Sequence, residues 1–331
     1  MKNSTAPNRK TGRMIAKNLI VLFTVALAGF CGIQAWFTDK SSAEADGINV
    51  ECQAPDGIEI AVVGHGADAP ASDKYTTGNI TLNKDNCPFL EKLQLTEITG
   101  DGTSFKKPAL IQLGGQAQVD PNAEWSDPTV NEHYLSFDLY IRSKSQYNIA
   151  IGRNSTIKPV APQLKASEGT SIINKSKYGD FSRDAVVGAV RFSVVDYKDP
   201  PSKKLLWLPA PNILLKQDGD GYTLSDNMRS GDSYKHVYYD KNKKRQTVSD
   251  SNDDAFVVNN NVFPDGKFTY ELGENKEIAS LTKSPDAEYF SAMVTCNMWI
   301  EGEDEEARLA LVNGKFNVNL VLTKEVLTKE S

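Results

Sequence analysis

Three side chains of this sequence have the types that a nucleophilic enzyme uses. Cys296 follows the apolar stretch "AMVT", His236 precedes it along the chain, and Arg308 comes after it in "RLALV". A cysteine acts as a nucleophile where its surroundings are exposed and electropositive, because these favour the thiolate. Cys296 instead lies in the apolar phase of its predicted strand, with Val294 and Met298, and precedes the acidic run "EGEDEE". The pattern favours a buried structural thiol, and we predict no catalytic residue and no enzyme.

The histidines give no sign of a zinc site. His65, His133 and His236 stand in three separate segments. None belongs to the HExxH helix that places two zinc ligands and a catalytic base of a metalloprotease on one face. We therefore predict no metal site and no cofactor.

Calcium is the one ion that the composition leaves open. The acidic stretches are "DGDG" at 218–221, "SDSNDD" at 249–254 and "EGEDEE" at 301–306. The first is not an EF-hand loop, since Arg229 stands where that loop needs a bidentate glutamate. Solvated acidic loops are the expected structure at all three stretches.

The charge balance argues against nucleic acid as a partner. The chain holds 37 basic and 43 acidic residues, a formal net charge of −6. Residues 1–35 contain five of the basic residues and no acidic one, so the remainder carries −11. A protein that binds phosphates needs a basic face. The basic run "KNKKR" at 241–245 stands among acidic residues and is expected to be a solvated loop.

The elements that must position these residues are mostly strands. Apolar and polar residues alternate with a period of two in "INVEC", "GIEIAV", "YLSFDLYIRS", "AVRFSVV", "AMVTCNMWI" and "GKFNVNLVL". Such alternation is typical of strands with one buried face. In the third stretch, Leu135 and Phe137 take one face, while Ser136 and Asp138 take the other. Turn residues separate the stretches, so the sequence predicts an all-β chain, a sandwich or a barrel.

Residues 36–331 are expected to form a single β-sandwich domain. Within it, the stretch 217–254 is polar and rich in glycine, aspartate and serine, which predicts a long polar loop that leaves the sandwich. Helical patterns are few, and "NCPFLEKL" predicts one helical turn after Asn86.

The first 35 residues have the layout of a secretory signal. A basic region is followed by an apolar run from Leu19 to Ile33, and the small residue Ala35 precedes a polar chain. The run is short for a membrane span of about 20 residues, although Gln34 to Phe37 could extend it. Two alternatives follow, namely a signal peptide cleaved near Ala35 or a retained N-terminal anchor helix. Either one predicts a secreted or cell-surface protein.

Three cysteines remain outside this leader. An odd number in an exported chain means one disulfide and a spare thiol, or three free thiols. Cys52 lies just before the turn "QAPDG". If the strand at 79–83 runs antiparallel to the strand at 58–63, Cys87 returns to the same end as Cys52. We predict that Cys52 pairs with Cys87 and that Cys296 stays a free thiol.

The leader and the chain behind it resemble a known group of exported proteins. "AWFTDKSSAEADGI", straight after a basic and apolar leader, resembles the start of the TasA/camelysin group of Gram-positive proteins, whose leaders are processed by a SipW-type signal peptidase. "YLSFDLYIRSKSQYNIAIG" is similar to a strand pair of that group. "NMWIEGEDEEARLALVNGKFNVNLVLT" at 297–323 resembles the closing segment and final strand of clostridial members.

The resemblance implies a fold and a function. Members of the group are jelly-roll sandwiches that form extracellular fibres of the biofilm matrix or remain linked to the membrane at the cell surface. It therefore implies a jelly-roll-type β-sandwich and a structural protein. The implied partners are other copies of the chain, other matrix proteins, the signal peptidase and, before cleavage, the membrane. The metallopeptidase label of one member is not carried over, since the ligands are lacking here. The cysteines and the 217–254 excursion depart from the best-known fibre formers.

The segment behind the aromatic pair Trp36–Phe37 is a candidate assembly strand. Cleavage would free a polar tail ahead of "GINVEC", and a free N-terminal strand can complete the sheet of a neighbouring copy by strand addition. Ile48 and Val50 would then enter the core of the neighbour. In the alternative, 47–52 is an ordinary first strand of its own domain.

Two other functions stay open at this point. The order His236, Cys296 and Arg308 is similar to that in sortase-type cysteine transpeptidases, which are also β-barrels behind an N-terminal membrane segment. A surface adhesin or carbohydrate-binding module would share the predicted fold. Against the latter, Trp125 and Trp207 are expected in the core or at its rim, where they form no platform for sugars.

The first testable prediction is cleavage next to Ala35. We expect the extracellular form to begin at Trp36 or a close neighbour, because a small residue at this place in a basic–apolar–polar layout is the mark of a signal peptidase site. N-terminal sequencing of the extracellular form checks this. A sequence that begins at Met1 or within the basic region would contradict it.

Overall fold

The structure is a computed structural model. It describes residues 43–44, 48–113, 116–160, 186–197, 201–210, 215–218, 221–224, 235–249, 253–258, 269–283, 285, 287–304, 307 and 316–326. These residues belong to one compact unit, Ser41–Ser331. The predicted leader, with Ala35 and Trp36, lies outside the described residues. Among the helices that are described, none has the length and apolar character needed to cross a membrane.

Strands and loops make up nearly all of the described chain. The strands of the first half are β1 Ala43–Glu44, β2 Ile48–Gln53, β3 Glu59–Gly64, β4 Ile80–Leu82, β5 Gln94–Leu95, β6 Glu97–Gly100, β7 Phe105–Lys106, β8 Leu110–Leu113, β9 Gln116–Val119, β10 Leu135–Ser143, β11 Tyr147–Ile151 and β12 Thr156–Pro159. Those of the second half are β13 Val190–Asp196, β14 Ser202–Leu208, β15 Leu215–Asp218, β16 Gly221–Leu224, β17 His236–Tyr239, β18 Arg245–Val248, β19 Phe256–Val258, β20 Tyr270–Glu271, β21 Lys276–Ser280, β22 Phe290–Glu301 and β23 Phe316–Val326.

Helix is confined to three short pieces of the described residues. One α-helical turn, α1, spans Val186–Ala189. Two 3-10 turns span Ser72–Lys74 and Pro88–Leu90. The second 3-10 turn confirms the helical turn that the sequence predicts after Asn86.

The larger of two mixed sheets is built around β22. Its strands follow the order β19-β14-β13-β22-β10-β3. Strand β22 pairs antiparallel with β10 on one side and with β13 on the other. Strand β6 joins the end of β22 in parallel, and β7 pairs with β6. The parallel pair β14–β19 closes the far edge.

The second sheet is built around β23, the last described strand. It pairs antiparallel with β11 and with β12, and parallel with β2. Strand β4 pairs antiparallel with the other side of β2, while β20 and β21 pair with β12 and β11. The first long strand of the described chain therefore lies beside the last one.

Both sheets contribute to one hydrophobic core. Phe137, Val294 and Cys296 of the large sheet are buried, as are Val318 and Leu320 of the second sheet. These are residues that the alternating pattern assigns to inward faces. The prediction of a mostly β chain is thus confirmed, in the form of two mixed sheets with almost no helix.

A tight turn carries the chain from the second sheet to the large one. The amide of Ile58 donates to the carbonyl of Pro55 at 3.1 Å, and Gly57 has a φ of 74°. A positive φ of this size suits glycine because it has no Cβ. The turn predicted from "QAPDG" is therefore the connection between β2 and β3.

The stretch 217–254 contains more structure than the predicted loop. Strands β15 and β16 form one two-stranded hairpin, and β17 and β18 form another. His236 and Val237 of β17 are buried. The polar composition concealed these short strands, because the buried side of the second hairpin is set by contacts with distant residues.

A cavity-forming substitution tests the place of Cys296 in this core. Cys296 is fully buried and pairs in register with Phe137 and Val194. Because its removal leaves a small void, we expect Cys296→Ala to lower the free energy of unfolding by about 1–2 kcal/mol. Met293→Ala is the matched control on the same strand, since Met293 is 39% exposed, and should cost under about 0.5 kcal/mol. Equal losses in urea unfolding would contradict this account.

Candidate functional site

Polar side chains are buried on the face of the large sheet that points away from the hydrophobic core. We call this the polar face, and its members on the sheet are Ser136, Asp138, Arg191, Ser193, Thr295, Asn297 and Glu301. They alternate along β10, β13 and β22 with the apolar residues of the core. Each is at most 4% exposed.

This burial corrects two predictions from the sequence. The strands were expected to be buried on one face, and "EGEDEE" at 301–306 was expected to be a solvated loop. Residues 294–304 are instead buried throughout, with Glu301 and Asp304 at 0% exposure. The physical reason is that the β6–β7 hairpin, the turn after β3 and the hairpin β17–β18 cover this face.

His65 and Asp138 form a hydrogen-bonded pair at one end of the polar face. His65 Nδ1 lies 2.8 Å from Asp138 Oδ1, and Thr295 Oγ1 donates to the same oxygen at 2.7 Å. The amide of Gly66 reaches Asp138 Oδ2 at 3.3 Å. Tyr197 stacks on the His65 ring with the centroids 5.4 Å apart. The side chain of Asp138 is 5% exposed and that of His65 is 36% exposed, so the pair joins the interior to the surface.

His65 and Asp138 each shift the pKa of the other. The hydrogen bond to Asp138 raises the pKa of His65, although partial burial opposes it. Burial raises the pKa of Asp138, but the hydrogen bonds from His65 and Thr295 outweigh it and leave this pKa below its ordinary value. The imidazolium–carboxylate form of the pair is therefore favoured, and it fixes the turn after β3 to β10.

The middle of the polar face holds the β6–β7 turn. Ser193 Oγ donates to the carbonyl of Gly102 at 2.6 Å, and Asn297 Nδ2 points at the same carbonyl at 3.4 Å. Ser136 Oγ donates to Asn297 Oδ1 at 2.7 Å. Gly102 has a φ of 91°, and a Cβ there would lie 3.1 Å from Ser193 Cβ. Glycine suits this position because other residues rarely adopt such a φ, and a Cβ would also require Ser193 to shift by a few tenths of an ångström.

A fully buried ion pair lies at the other end. Arg191 Nη2 is 2.6 Å from Asp304 Oδ2, and both side chains have 0% exposure. Arg191 Nη1 donates to the carbonyls of Gly188 and Val190. Removing one partner of such a pair leaves an uncompensated buried charge, which costs about 3–5 kcal/mol. Arg191 thereby fixes the end of α1 to the segment after β22.

Glu301 is a buried carboxyl group beside this ion pair. Its Oε2 accepts from the indole Nε1 of Trp299 at 3.1 Å, and its Oε1 accepts from the amide of Glu303 at 3.3 Å. Burial raises its pKa to about 8, against the opposing effect of nearby Arg191 and of these hydrogen bonds. Glu301 therefore keeps its proton in the folded protein at neutral pH.

His236 of β17 packs over the end of the polar face that contains Glu301 and Arg191. Its Nε2 lies 2.6 Å from the carbonyl of Gly100, and its ring meets that of Trp299 edge-on with centroids 6.1 Å apart. Burial, and then the charge of Arg191, lower its pKa well below the usual range, so the ring is neutral. Within the described part of the chain, His236 Nδ1 and Arg191 Nε have no hydrogen-bond partner.

Among the described residues, no nucleophile is hydrogen-bonded to the second ring nitrogen of His65. A carboxylate–histidine pair such as Asp138–His65 orients a base, but catalysis also needs a nucleophile on the second ring nitrogen. In the described residues, the hydrogen bonds of the His65 ring all involve Nδ1. Cys296 points into the core, on the opposite face of β22 from Trp299 and His236. Arg308 lies outside the described residues. What the described contacts of the polar face do is fix the turn after β3, the β6–β7 turn and the segment after β22 to the large sheet.

The cysteines lie together in the core. Cys52, Cys87 and Cys296 are buried free thiols in this structure. Burial raises the pKa of Cys52 to about 12, with a smaller contribution from Cys87. Burial also raises the pKa of Cys296 well above its usual value, with a contribution from Cys52. Such thiols are poor nucleophiles. The pairing of Cys52 with Cys87 stays a prediction.

The predicted assembly residues lie in the second sheet of their own chain. Ile48 and Val50 are opposite Phe316 and Val318 in the parallel β2–β23 ladder. Val50 is 2% exposed. Whether this strand also exchanges between copies stays a prediction.

The remaining candidates have unremarkable surroundings. Trp207 is fully buried in the core. Trp125 is half-buried, and its indole donates to the carbonyl of Asp120 at 2.7 Å. Among the described residues, no group of three or more His, Cys, Asp or Glu side chains could hold a metal ion.

The sequence analysis does not predict the buried polar face, although charged residues inside two apolar stretches point to it. Asp138 and Arg191 each interrupt an apolar stretch, "YLSFDLYI" and "AVRFSVV". A charge inside such a stretch is expected to point to solvent unless a partner is known. Here the partner of Arg191 stands 113 residues away, so the pattern alone could not identify it.

The buried carboxyl of Glu301 gives a pH-dependent prediction. The folded protein retains a proton that the unfolded chain loses above the ordinary pKa of 4.5, and it retains this proton up to about pH 8. Glu301 therefore makes the free energy of unfolding fall as the pH rises between these values, by at most about 1.4 kcal/mol per pH unit. In Glu301→Gln we expect a flatter dependence, measured by urea unfolding from pH 5.5 to 8.

The matched control is Glu91→Gln, which alters a solvent-exposed carboxyl. Glu91→Gln removes the same chemical group without removing a buried carboxyl, so a change of slope found only in Glu301→Gln is due to the buried position of Glu301. The account of Glu301 is wrong if Glu301→Gln shows the same slope as the unchanged protein.

In comparisons with known proteins, no protein-family model, no curated protein and no solved structure matches the chain. The likeness to the TasA/camelysin group therefore rests on the leader and on the strand patterns of the sequence alone.

Proposed function

We propose that this chain is an extracellular structural protein of the cell surface or biofilm matrix, and that it assembles into fibres by exchange of strand β2 between copies. The observation that carries the proposal is the parallel pairing of β2 with β23, from Ile48↔Phe316 to Gln53↔Val321. The two strands that flank β23 on its other side are antiparallel to it. An N-terminal strand inserted in parallel beside the C-terminal strand can be supplied by the same chain or by another copy.

The β2–β23 contact would be equally favourable between two copies. The backbone ladder uses residues 316–321 of β23, and Val50 packs between Val318 and Leu82. Burying a side chain of this size contributes about 1.5–3 kcal/mol. Because exchange preserves these contacts, its cost is limited to the loss of freedom on association and to the opening of the connecting turn.

The turn at Pro55–Ile58 supplies the hinge. It is short, and it joins β2 of the second sheet to β3 of the large sheet. If it extends, β2 leaves its own sheet while β3 stays paired with β10. A strand given by each copy to the next is a head-to-tail contact that does not close, and such contacts build filaments.

In this proposal the leader determines where the protein assembles and when strand exchange begins. A basic and apolar segment before Ala35 directs export, and cleavage by a signal peptidase frees the chain ahead of β2. Until then the membrane holds the N-terminal end, and exchange waits. The partners are other copies of the chain and other matrix proteins, and the sandwich is of the jelly-roll type that the resemblance implies.

The transpeptidase alternative gains nothing from the geometry. A cysteine nucleophile and its histidine have to lie within hydrogen-bond reach of each other. Cys296 and His236 lie on opposite faces of β22, and burial keeps the thiol protonated. A carbohydrate-binding role gains no support from Trp207 either, because its side chain is buried in the core.

Removal of β2 tests the proposal. Protein that begins at Trp36 should form fibres visible by negative-stain electron microscopy. Protein that begins at Gln53 lacks the donor strand and should stay monomeric. Because the empty position beside β23 accepts a strand in trans, a synthetic peptide of residues 36–52 should bind the shortened protein and restore its stability to thermal unfolding.

The matched control is the same peptide with Val50 replaced by aspartate. Val50 is buried in this strand, as is Cys52, and a carboxylate at position 50 would have to enter the core, so this peptide should fail to bind. If the shortened protein folds and forms fibres without any peptide, strand exchange is not the mechanism of assembly.

A further inference from the structure

A groove runs between the edges of the two sheets. Strand β3 is the last strand of the large sheet, and β4 pairs with the second sheet only through β2. The groove between them has a volume of about 540 Å³, which is within the range of ligand-binding clefts. Apolar residues line most of it, namely Val62, Ala67, Pro70, Ile80, Pro88 and Phe89.

One residue of β3 presents an unpaired backbone to this groove. The N–H and C=O of Ile60 bond to Thr76 at 2.8 and 2.9 Å, on the side away from β10. Residues two apart in a strand direct their backbone groups to the same side. The N–H and C=O of Val62 therefore also point away from β10, and no described residue bonds to them. The carbonyl of the next such residue, Gly64, accepts from Ala67.

The rim of the groove carries a positive charge. Lys74 is the charged member of the described lining, and its side chain is 70% exposed. The nearest carboxylate, that of Asp73, lies 4.0 Å away and is itself 76% exposed. An exposed contact of this kind is weak, so the ammonium group remains available to an anion.

These three features fit one kind of partner. We propose that the groove binds an extended peptide segment of another protein, with an aliphatic side chain in the apolar part and a carboxylate against Lys74. The peptide adds to β3 as a short extra strand and forms two hydrogen bonds with the backbone of Val62, the general mode of strand addition to a sheet edge. The site does not require polymerisation, and it is separate from the β2–β23 ladder.

The size of the edge limits the strength of this binding. On one side of Val62, Thr76 bonds to both backbone groups of Ile60, and on the other side Ala67 bonds to the carbonyl of Gly64. Within the described chain, Val62 is thus the residue of this edge with both backbone groups left for recognition, so specificity comes from the apolar pocket and from Lys74. The interaction is expected to be reversible and to favour short acidic–aliphatic segments.

A titration with defined peptides tests the proposal on the full chain. The probe is an acetylated and amidated pentapeptide of alternating threonine and valine that ends in aspartate, and its partner probe ends in lysine. Isothermal titration should show saturable binding of the aspartate peptide. The lysine peptide should bind at least about fivefold more weakly because of its charge.

Two substitutions locate the binding site. Val62→Pro removes the edge N–H without breaking the ladder to β10, and should weaken the aspartate peptide about tenfold. Lys74→Glu should reverse the preference, so that the lysine peptide becomes the tighter one. Lys92→Glu, at an exposed lysine outside the groove, is the control and should change neither affinity.

If Val62→Pro does not fold, the reversed peptide preference of Lys74→Glu still tests the proposal. Absence of saturable binding, or equal binding of both peptides before and after Lys74→Glu, would overturn the proposal. So would self-association of the chain that protects the amide of Val62 from hydrogen exchange, because a second copy would then be the occupant.

Discussion

Strand β22 is buried on both faces from Val294 to Glu301, and much of the large sheet follows from this constraint. On one face the apolar residues Val294, Cys296 and Met298 fill the core. On the other face the polar side chains have lost their water, so each of them has at least one partner in the protein, although single atoms such as Arg191 Nε have none among the described residues. The partners come from the turn after β3, the β6–β7 hairpin and the segment after β22, which are thereby fixed to the sheet.

The sequence predicts one of these faces and not the other. Phe137, Val318 and their neighbours alternate with polar residues, and this local pattern is enough to assign the strands and the core. The partner of a polar residue cannot be derived in the same way. Glu301 meets Gly100 across 201 positions, and Arg191 meets Asp304 across 113. Nothing near these residues in the chain indicates that a hairpin covers them, so they were expected to be solvated.

The same limit applies to β2 and β23. The pattern of "INVEC" identifies a strand with Val50 facing inward, but alternation does not give the neighbour of a strand or its direction. The parallel register with β23 is known only from the fold. Because this register defines which residues of β2 and β23 lie opposite each other, the proposed strand exchange can be tested at particular residue pairs. The polar face lies on the large sheet and shares no residue with the β2–β23 ladder, so the proposed exchange of β2 leaves its contacts unchanged.

A chemical cross-link between copies tests strand exchange most directly. Glu51 and Asn319 are opposite each other in the β2–β23 register, and both side chains are partly exposed. Chains with Glu51→Cys are mixed with chains with Asn319→Cys, allowed to assemble and then oxidised. If β2 of one copy lies beside β23 of the next, peptide mapping will find disulfides that join position 51 of one chain to position 319 of the other. Fibres that form without this cross-link would contradict the account.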